Sequence, residues 1–98
     1  MNKIFYTGRA LDDLQRLCDF LFDSDPQAAT ATTRVIFEAL DILVHSPEIG
    51  RKVSAGNREL VISRGISGYL ALYRFLPSQR QVLVLALRHQ RESGYKSL

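Results

Sequence analysis

The sequence predicts a small α+β domain, with a short N-terminal strand, a helical hairpin and then a three-stranded antiparallel meander. Three observations predict this order. Apolar residues recur at helical spacing in the first half of the chain, and at the two-residue spacing of strands in the second half. The chain has 98 residues, which is the size of one domain. We therefore expect residues 1–98 to form a single domain with one core.

The first helix is predicted to follow a short strand at residues 3–6. Thr7 has a residue type preferred at the N-cap, because its hydroxyl can accept a hydrogen bond from a free backbone N–H of the first turn. Apolar residues then recur at helical spacing as far as Phe22. Asp12 and Asp13 are expected in the first turn, where acidic side chains interact favourably with the helix dipole.

The second helix is predicted to begin at Asp25-Pro26. Aspartate is a preferred N-cap residue, and proline is favoured at the first helical position because its missing N–H would have no partner there. Helical spacing continues to about His45. Ser46-Pro47 ends the helix, because a residue before proline avoids helical geometry. The two helices, joined by a short break, form a helical hairpin.

The second half of the chain is predicted to form the meander. Residues 46–57 contain Pro, Gly and charged residues and are expected to be a loop. Strands are predicted at 58–64, 69–76 and 81–89, where the spacing changes to two residues and short turns separate the segments. Residues 91–98 are a polar tail, too short for another stable element.

The last predicted strand is apolar on both faces, which one helical hairpin cannot cover. Alternation places Val82, Val84 and Ala86 on one face and Leu83, Leu85 and Leu87 on the other. The second face therefore needs cover from the tail, a second copy or a partner chain. Size and pattern favour an interaction protein.

The charge of the chain is unevenly distributed. Residues 1–50 contain four basic and eight acidic residues, a net charge of −4, and residues 51–98 contain nine basic and two acidic residues, a net charge of +7. The halves sum to the formal charge of +3. Seven of the nine basic residues are arginines, which suit bidentate contacts to phosphate and carboxylate groups. The basic half is therefore expected to meet an anionic partner, nucleic acid or an acidic protein segment.

Composition excludes several classes of protein. A single cysteine excludes an internal disulfide framework and a cysteine-based zinc site. The longest apolar run, residues 82–87, is too short to cross a membrane, and the N-terminus lacks the apolar stretch of a secretory signal. We therefore expect a cytoplasmic protein. Two isolated histidines and the absence of phosphate-binding or dinucleotide motifs predict neither a metal nor a cofactor.

One cluster of reactive side chains lies at residues 88–95, at the end of the last predicted strand. RNA cleavage needs a base for the 2′-hydroxyl, an acid for the leaving oxygen and positive charge near the phosphate. His89, Glu92 and Tyr95 can act as base or acid, and the arginines can stabilise the phosphate. The alternative is a basic strand end that is solvated or binds an acidic partner.

Five segments in order resemble the RelE/ParE superfamily of small bacterial toxins from type II toxin–antitoxin systems. Ala10-Leu11-Asp12-Asp13-Leu14 is similar to the family's A-x-x-D-L opening, and residues 45–51 resemble its H-P-x-x-G-R loop. Residues 58–62 resemble its R-E-L-V strand. Residues 69–74 resemble the next strand, ending in L-Y-R, and residues 83–91 resemble the closing strand and its H-x-R.

The resemblance implies a fold, a context and a partner. The implied fold is a strand, a helical hairpin and a small antiparallel sheet, and the implied context is growth arrest and plasmid stabilisation. A cognate acidic antitoxin is implied, whose C-terminal segment would wrap the toxin in a hetero-oligomer and become ordered on binding.

Two branches of this superfamily differ in mechanism. RelE-like members cut mRNA in the ribosomal A site, whereas ParE-like members poison DNA gyrase and are not nucleases. Where RelE-like toxins carry lysines on the first strand of the meander, this chain has Leu60 and Ile62, and Leu70 follows Tyr69 where an arginine would be expected. The resemblance therefore favours the ParE-like branch, a gyrase inhibitor rather than an enzyme, with the RelE-like endoribonuclease as the alternative.

Candidate site residues follow for each branch. If the chain is RelE-like, its catalytic candidates are His89, Glu92 and Tyr95. In either branch, the target-binding or phosphate-binding candidates are Arg64, Arg74, Arg88 and Arg91. A third possibility is an inactive copy that only binds its antitoxin.

Overall fold

The computed structural model describes residues 1–63 and 68–96 of the chain. The elements are β1 (Lys3–Tyr6), α1 (Gly8–Phe22), α2 (Pro26–Asp41), β2 (Arg51–Ser54), β3 (Asn57–Ile62), β4 (Tyr69–Leu76) and β5 (Gln81–His89). Short 3₁₀ turns at Ile42–Val44 and Pro77–Gln79 follow α2 and β4. The predicted α+β order is confirmed. The predicted bounds of β4 and β5 agree with the structure, whereas part of the predicted turn between β3 and β4 lies outside the described residues.

Both helices begin at the predicted residues. The Thr7 hydroxyl accepts a hydrogen bond of 3.2 Å from the Ala10 N–H. The Asp25 carboxylate accepts one of 3.1 Å from the Ala28 N–H, with Pro26 as the first residue of α2. In each case a side-chain acceptor satisfies a backbone donor that has no partner within the helix.

The strands form one sheet in the order β1-β5-β4-β3-β2. β1 pairs in parallel with β5, and the other neighbours are antiparallel. The prediction that residues 46–57 form only a loop is wrong, because β2 lies within them. All four β2 residues are exposed, so this edge strand lacks the apolar alternation that would have distinguished it from a loop. Ala55 and Gly56, with φ of 41° and 82°, form the tight turn into β3.

The helices cover one face of the sheet, which we call the helix face. The core between them contains Ile36, Leu40 and Leu43 from the α2 segment and Tyr73 from β4, all almost completely buried. The Tyr73 hydroxyl donates to the Pro47 carbonyl and accepts from the Gly50 N–H, both at 2.8 Å. The loop between α2 and β2 is thereby fastened to the centre of the sheet.

A β-bulge on β5 overturns the predicted division of its apolar residues. Leu72 pairs with Ala86 but Tyr73 pairs with Val84, so Leu85 is the extra residue. A bulge reverses the alternation beyond it. Leu87 therefore joins Val84 on the helix face, whereas Ala86, paired with Leu72, lies on the opposite face. The predictions that placed Leu87 opposite Val84 and Ala86 beside Val84 are wrong.

Asp13 is also placed differently from the prediction. The first turn of α1 contains no acidic residue, and Asp13 is buried, with only 4% of its surface exposed. Its Oδ2 accepts a hydrogen bond of 2.9 Å from the Leu87 N–H. Since β1 pairs with β5 only as far as Val84, Asp13 satisfies a donor on the outer edge of β5 beyond the end of β1.

Candidate functional site

The side of the sheet opposite the helices is the candidate site, and we call it the distal face. It presents Glu59 from β3, Leu72 from β4, and Leu85 and Arg88 from β5, as the strand register places them. Tyr95 of the tail lies over this face, whereas Glu92 of the tail lies beside α1. Three of these side chains, Glu59, Leu72 and Leu85, line an open pocket of about 580 Å³ together with Val53 and Tyr95. The tail thus supplies part of the cover that the sequence predicted this face to need.

Glu59 is a buried carboxylate at the centre of the distal face, with 5% of its surface exposed. Its Oε1 accepts a hydrogen bond of 3.0 Å from Nε of Arg51 and a second one from Nη2. Its Oε2 accepts one of 2.6 Å from the Tyr95 hydroxyl. Burial raises the pKa of Glu59, but the hydrogen bonds from Tyr95 and Arg51 outweigh burial, so its pKa is lowered.

Tyr95 lies between this carboxylate and an arginine. The guanidinium carbon of Arg88 stands 5.2 Å from the centre of the Tyr95 ring, a cation–π arrangement. Burial is the main cause that raises the pKa of Tyr95, and the Glu59 carboxylate raises it further. Tyr95 therefore stays protonated and donates its hydroxyl proton to Glu59.

Glu92 is held on the other side of the sheet end, beside α1. Its Oε1 accepts from the His89 N–H at 2.8 Å, and its Oε2 accepts from Arg16 at 2.7 Å. Burial raises the pKa of Glu92, but these two contacts outweigh it and leave the pKa below its usual value. Both carboxylate oxygens are thus engaged in holding the strand end to the helix.

His89 also faces the helices. Its ring packs edge to face against Tyr69 with centroids 5.2 Å apart, and Tyr69 belongs to the helix-side core. Its Nδ1 accepts a hydrogen bond of 3.0 Å from the Arg91 N–H. The structure therefore brings His89 and Glu92 together but places Tyr95 on the opposite face.

The predicted arginines are scattered. Arg88 donates to the Glu92 carbonyl at 2.6 Å and closes the turn after β5. Arg74 donates to Asn57 Oδ1 at 3.0 Å and the Ala55 carbonyl at 2.7 Å, so it braces the turn between β2 and β3. Arg91 is exposed beside His89. Arg64 lies outside the described residues.

The sequence and the fold both have known counterparts. The family model described as ParE toxin of type II toxin–antitoxin system, parDE, matches residues 4–94. The chain belongs to this toxin family.

Curated relatives of this ParE-family toxin include Toxin RelE1 of Caulobacter vibrioides, which is 39% identical over 79 residues, covering 81% of this chain and 85% of the relative. Toxin RelE3 of the same organism is 33% identical over 92 residues, covering 94% of this chain and 98% of the relative. Relatives at these identities and a family model over most of the chain make the membership secure.

Solved structures share the fold of this ParE-family toxin at low sequence identity. The chromosomal ParDE system from P. aeruginosa has a TM-score of 0.74 at 22% identity, covering 91% of this chain and 96% of that one. The intact E. coli RelBE toxin–antitoxin complex has a TM-score of 0.63 at 15% identity, covering 94% and 100%. At these identities the likeness concerns the fold alone.

Two further observations bear on the chemistry of this ParE-family toxin. Within residues 1–63 and 68–96, no three His, Cys, Asp or Glu side chains come together to hold a metal ion. Among the helices of the same ranges, none is long and apolar enough to cross a membrane.

Sequence reasoning missed Glu59 and Arg51 as site residues. One signal could have identified Glu59: it is one of two acidic residues in the basic half and lies inside an apolar strand. An acid at such a position is buried only if it is paired. Its partner Tyr95 is 36 residues away, and no sequence pattern links the two.

Proposed function

We propose that this protein is a growth-arresting toxin that inhibits DNA gyrase and is neutralised by a cognate acidic antitoxin. Membership of the ParE toxin family supports the proposal. The observation that carries it is the separation of the groups that RNA cleavage would need: His89 and Glu92 lie on the helix face, whereas Tyr95 lies on the distal face. A base and an acid must both reach the same phosphodiester group, and these side chains lie on opposite sides of the sheet.

The engagement of each group supports the same conclusion. Tyr95 donates its proton to Glu59 and has a raised pKa. A lowered pKa and two donors make the Glu92 carboxylate a weak base. The described residues therefore favour a contact surface over a nuclease centre.

The contact with gyrase is assigned to the basic half and the tail. Arg88 closes the turn after β5, and Arg91 is exposed within that turn. Cations on such a surface attract an anionic target and raise the association rate, an effect that salt weakens. We expect substitution of both arginines to weaken binding in a graded and salt-sensitive way.

The antitoxin is assigned from charge and from exposed apolar surface. Phe20 on α1 is 79% exposed, and Val53 and Val61 are each 42% exposed at the distal side of the sheet. A segment that combines acidic and apolar residues would cover these side chains and meet the basic half. The E. coli structure with the same fold is a toxin–antitoxin complex, which supports a hetero-oligomer here.

The second candidate function is a ribosome-dependent mRNA endonuclease. The curated relatives named RelE toxins favour it. In that case His89 or Glu92 would act as base, Tyr95 as acid and the arginines would bind phosphate. The tail would have to leave Glu59 before Tyr95 could reach a substrate together with His89.

A supercoiling assay with purified DNA gyrase, read for cleaved and trapped DNA, tests the proposal. We expect the wild-type chain to inhibit supercoiling with accumulation of cleaved DNA, and Arg88→Ala/Arg91→Ala to do so more weakly, with a larger deficit at low salt. A folded chain without effect on gyrase, together with cleavage of mRNA on ribosomes that His89→Ala/Tyr95→Phe abolishes, would overturn it in favour of the second candidate.

A further inference from the structure

The buried carboxylate of Glu59 has no part in the functions considered above. It lies on β3, yet its Oε2 is bonded to a residue six positions beyond the end of β5. We propose that Glu59 is a positioning residue that holds the C-terminal tail on the distal face through Tyr95, and that this placement assembles the cationic surface that meets the target. The inference rests on the proposed role of that surface in target binding.

The tail depends on side-chain contacts for its position. Beyond His89 the described residues form no helix or strand. Backbone hydrogen bonds from Gln90 to Gly68 and from Glu92 to His89 hold only the start of this segment. Tyr95 is fastened by its hydroxyl to Glu59 and by its ring to Arg88. Two further contacts join the tail to α1: Arg9 donates to the Lys96 carbonyl at 3.1 Å, and Arg16 donates to the Glu92 carboxylate at 2.7 Å.

The fold by itself gives little reason for an acid at position 59. Burying a carboxylate costs free energy unless it is paired. Arg51 is a partner from a four-residue edge strand, and its side chain is 67% exposed, so the pair is expected to contribute little to stability. An ionised acceptor does, however, form a short and strong hydrogen bond with a phenol, and the Tyr95 hydroxyl lies 2.6 Å away. The carboxylate is therefore best explained by its contact with the tail.

The consequence of holding Tyr95 is a cluster of two cations from different elements, Arg9 from α1 and Arg88 from β5. Arg88 lies over the Tyr95 ring, and Arg9 lines the same pocket as Tyr95 and donates to the Lys96 carbonyl. The Lys96 ammonium lies 3.9 Å from Glu92 Oε2 instead. Like charges repel one another, so the cluster needs an anchor that fixes the tail. Such a cluster fits an anionic surface on the target.

Four substitutions separate positioning from general stability. Tyr95→Phe removes the hydroxyl and keeps the ring. Glu59→Gln keeps the shape but removes the charge, so the Tyr95 hydroxyl loses its ionised acceptor and only a weaker, neutral hydrogen bond can replace it. Arg51→Gln removes the other partner of the carboxylate. Glu48→Gln is the matched control, because Glu48 is an exposed carboxylate paired with Arg58 and the change in net charge is the same as for Glu59→Gln.

Amide hydrogen exchange of residues 90–96 and growth arrest at graded expression are measured for the wild type, each variant and the Glu59→Gln/Tyr95→Phe pair. We expect about tenfold faster tail exchange for Glu59→Gln and for Tyr95→Phe, no further increase in the pair, and weaker growth arrest in all three. Arg51→Gln and Glu48→Gln should leave tail exchange within about twofold of the wild type.

The outcomes distinguish this inference from the proposed target. Unchanged tail exchange in Tyr95→Phe, or additive effects in the pair, would overturn the positioning role. Faster exchange with undiminished growth arrest would overturn its link to the target surface. Growth arrest does not depend on which target is hit, so a wild type that arrests growth without inhibiting gyrase would overturn the proposed target and leave the Glu59 result valid.

Discussion

The two faces of the sheet are held by different physical means. The helix face is a continuous apolar core in which Leu40 and Tyr73 are completely buried. The distal face has no second layer of helices within the described residues, and Leu72 and Leu85 line an open pocket there with Tyr95, which Glu59 holds. An apolar core depends on area removed from water, whereas a polar anchor depends on a few charged contacts. The first therefore sets global stability, and the second can open locally without unfolding the domain.

Truncation of a leucine on each face should show this difference most strongly. We expect Leu40→Ala to lower the free energy of unfolding by about 3 kcal/mol, because it leaves a cavity in a fully packed core. Leu85→Ala on the partly covered distal face should cost about 1 kcal/mol, since part of this side chain is already in water. Urea denaturation measures both. Equal losses would mean that the distal face is packed as tightly as the core.

Gly50→Ala tests the loop where the two faces meet. A Cβ at this position would lie 2.6 Å from the Tyr73 ring and 2.9 Å from the Glu59 carbonyl oxygen. We expect the free energy of unfolding to fall by about 2 kcal/mol, because neither a buried ring nor a strand backbone can move away easily. Gly8→Ala is the control, since its Cβ meets nothing within 4 Å. Thermal unfolding should leave Gly8→Ala within about 0.5 kcal/mol of the wild type.

Asp13→Ala tests a polar contact that belongs to the helix face. It removes the acceptor of the buried Leu87 N–H, and an unsatisfied buried donor costs about 1.5 kcal/mol. The neighbouring Asp12→Ala is the matched control, because that side chain is exposed on the same helix. A denaturation midpoint shared by the two variants would show that the Leu87 N–H finds another acceptor.

Lowering the pH should release the tail, and of the changes considered we expect this one to affect the rest of the fold least. Glu59 has a pKa lowered from its ordinary value of 4.5, so its ionised form favours the folded tail above that pH. This contribution is lost as the pH falls through the lowered pKa. The groups that face it are Arg51, Arg88 and Tyr95. The pKa values of Arg51 and Tyr95 are raised, so protonation of Glu59 accounts for the change at this site.

Tail hydrogen exchange between pH 6 and pH 3, corrected for its intrinsic pH dependence, measures this release. We expect protection of residues 90–96 to fall towards pH 3 in the wild type and to change less in Glu59→Gln. Since Glu92 titrates with the same sign, Glu92→Gln serves as the comparison. The same pH dependence in Glu59→Gln and the wild type would assign the release to Glu92.

Local signals predicted most of the fold, and long-range contacts account for what was missed. Thr7 and Asp25 were identified as caps because capping involves residues three apart. β2 was missed because an exposed edge strand of four residues has no apolar pattern. The bulge at Leu85 was missed because every residue around it is apolar, so alternation gave no sign of the shift.

The candidate site was predicted less completely than the fold. The chemistry-bearing cluster at residues 88–95 was found from its residue types, and the structure shows that the sheet end divides it. Arg88 and Tyr95 are on the distal face, and His89 and Glu92 are beside α1. The division results from a turn closed by Arg88 and from two acids on opposite sides, Glu59 and Glu92.

The amino-acid sequence by itself determined the helical hairpin, the meander, the basic second half and the resemblance to a toxin family, because periodicity, capping and composition are local properties. Only the tertiary structure decided three contacts. Asp13 accepts a hydrogen bond from the β5 backbone, the bulge places Leu87 in the core, and Glu59 accepts a hydrogen bond from Tyr95. Each of these joins residues more than 30 positions apart or depends on one extra residue in a ladder. Such contacts arise when distant segments pack together, so no single segment of the chain predicts them.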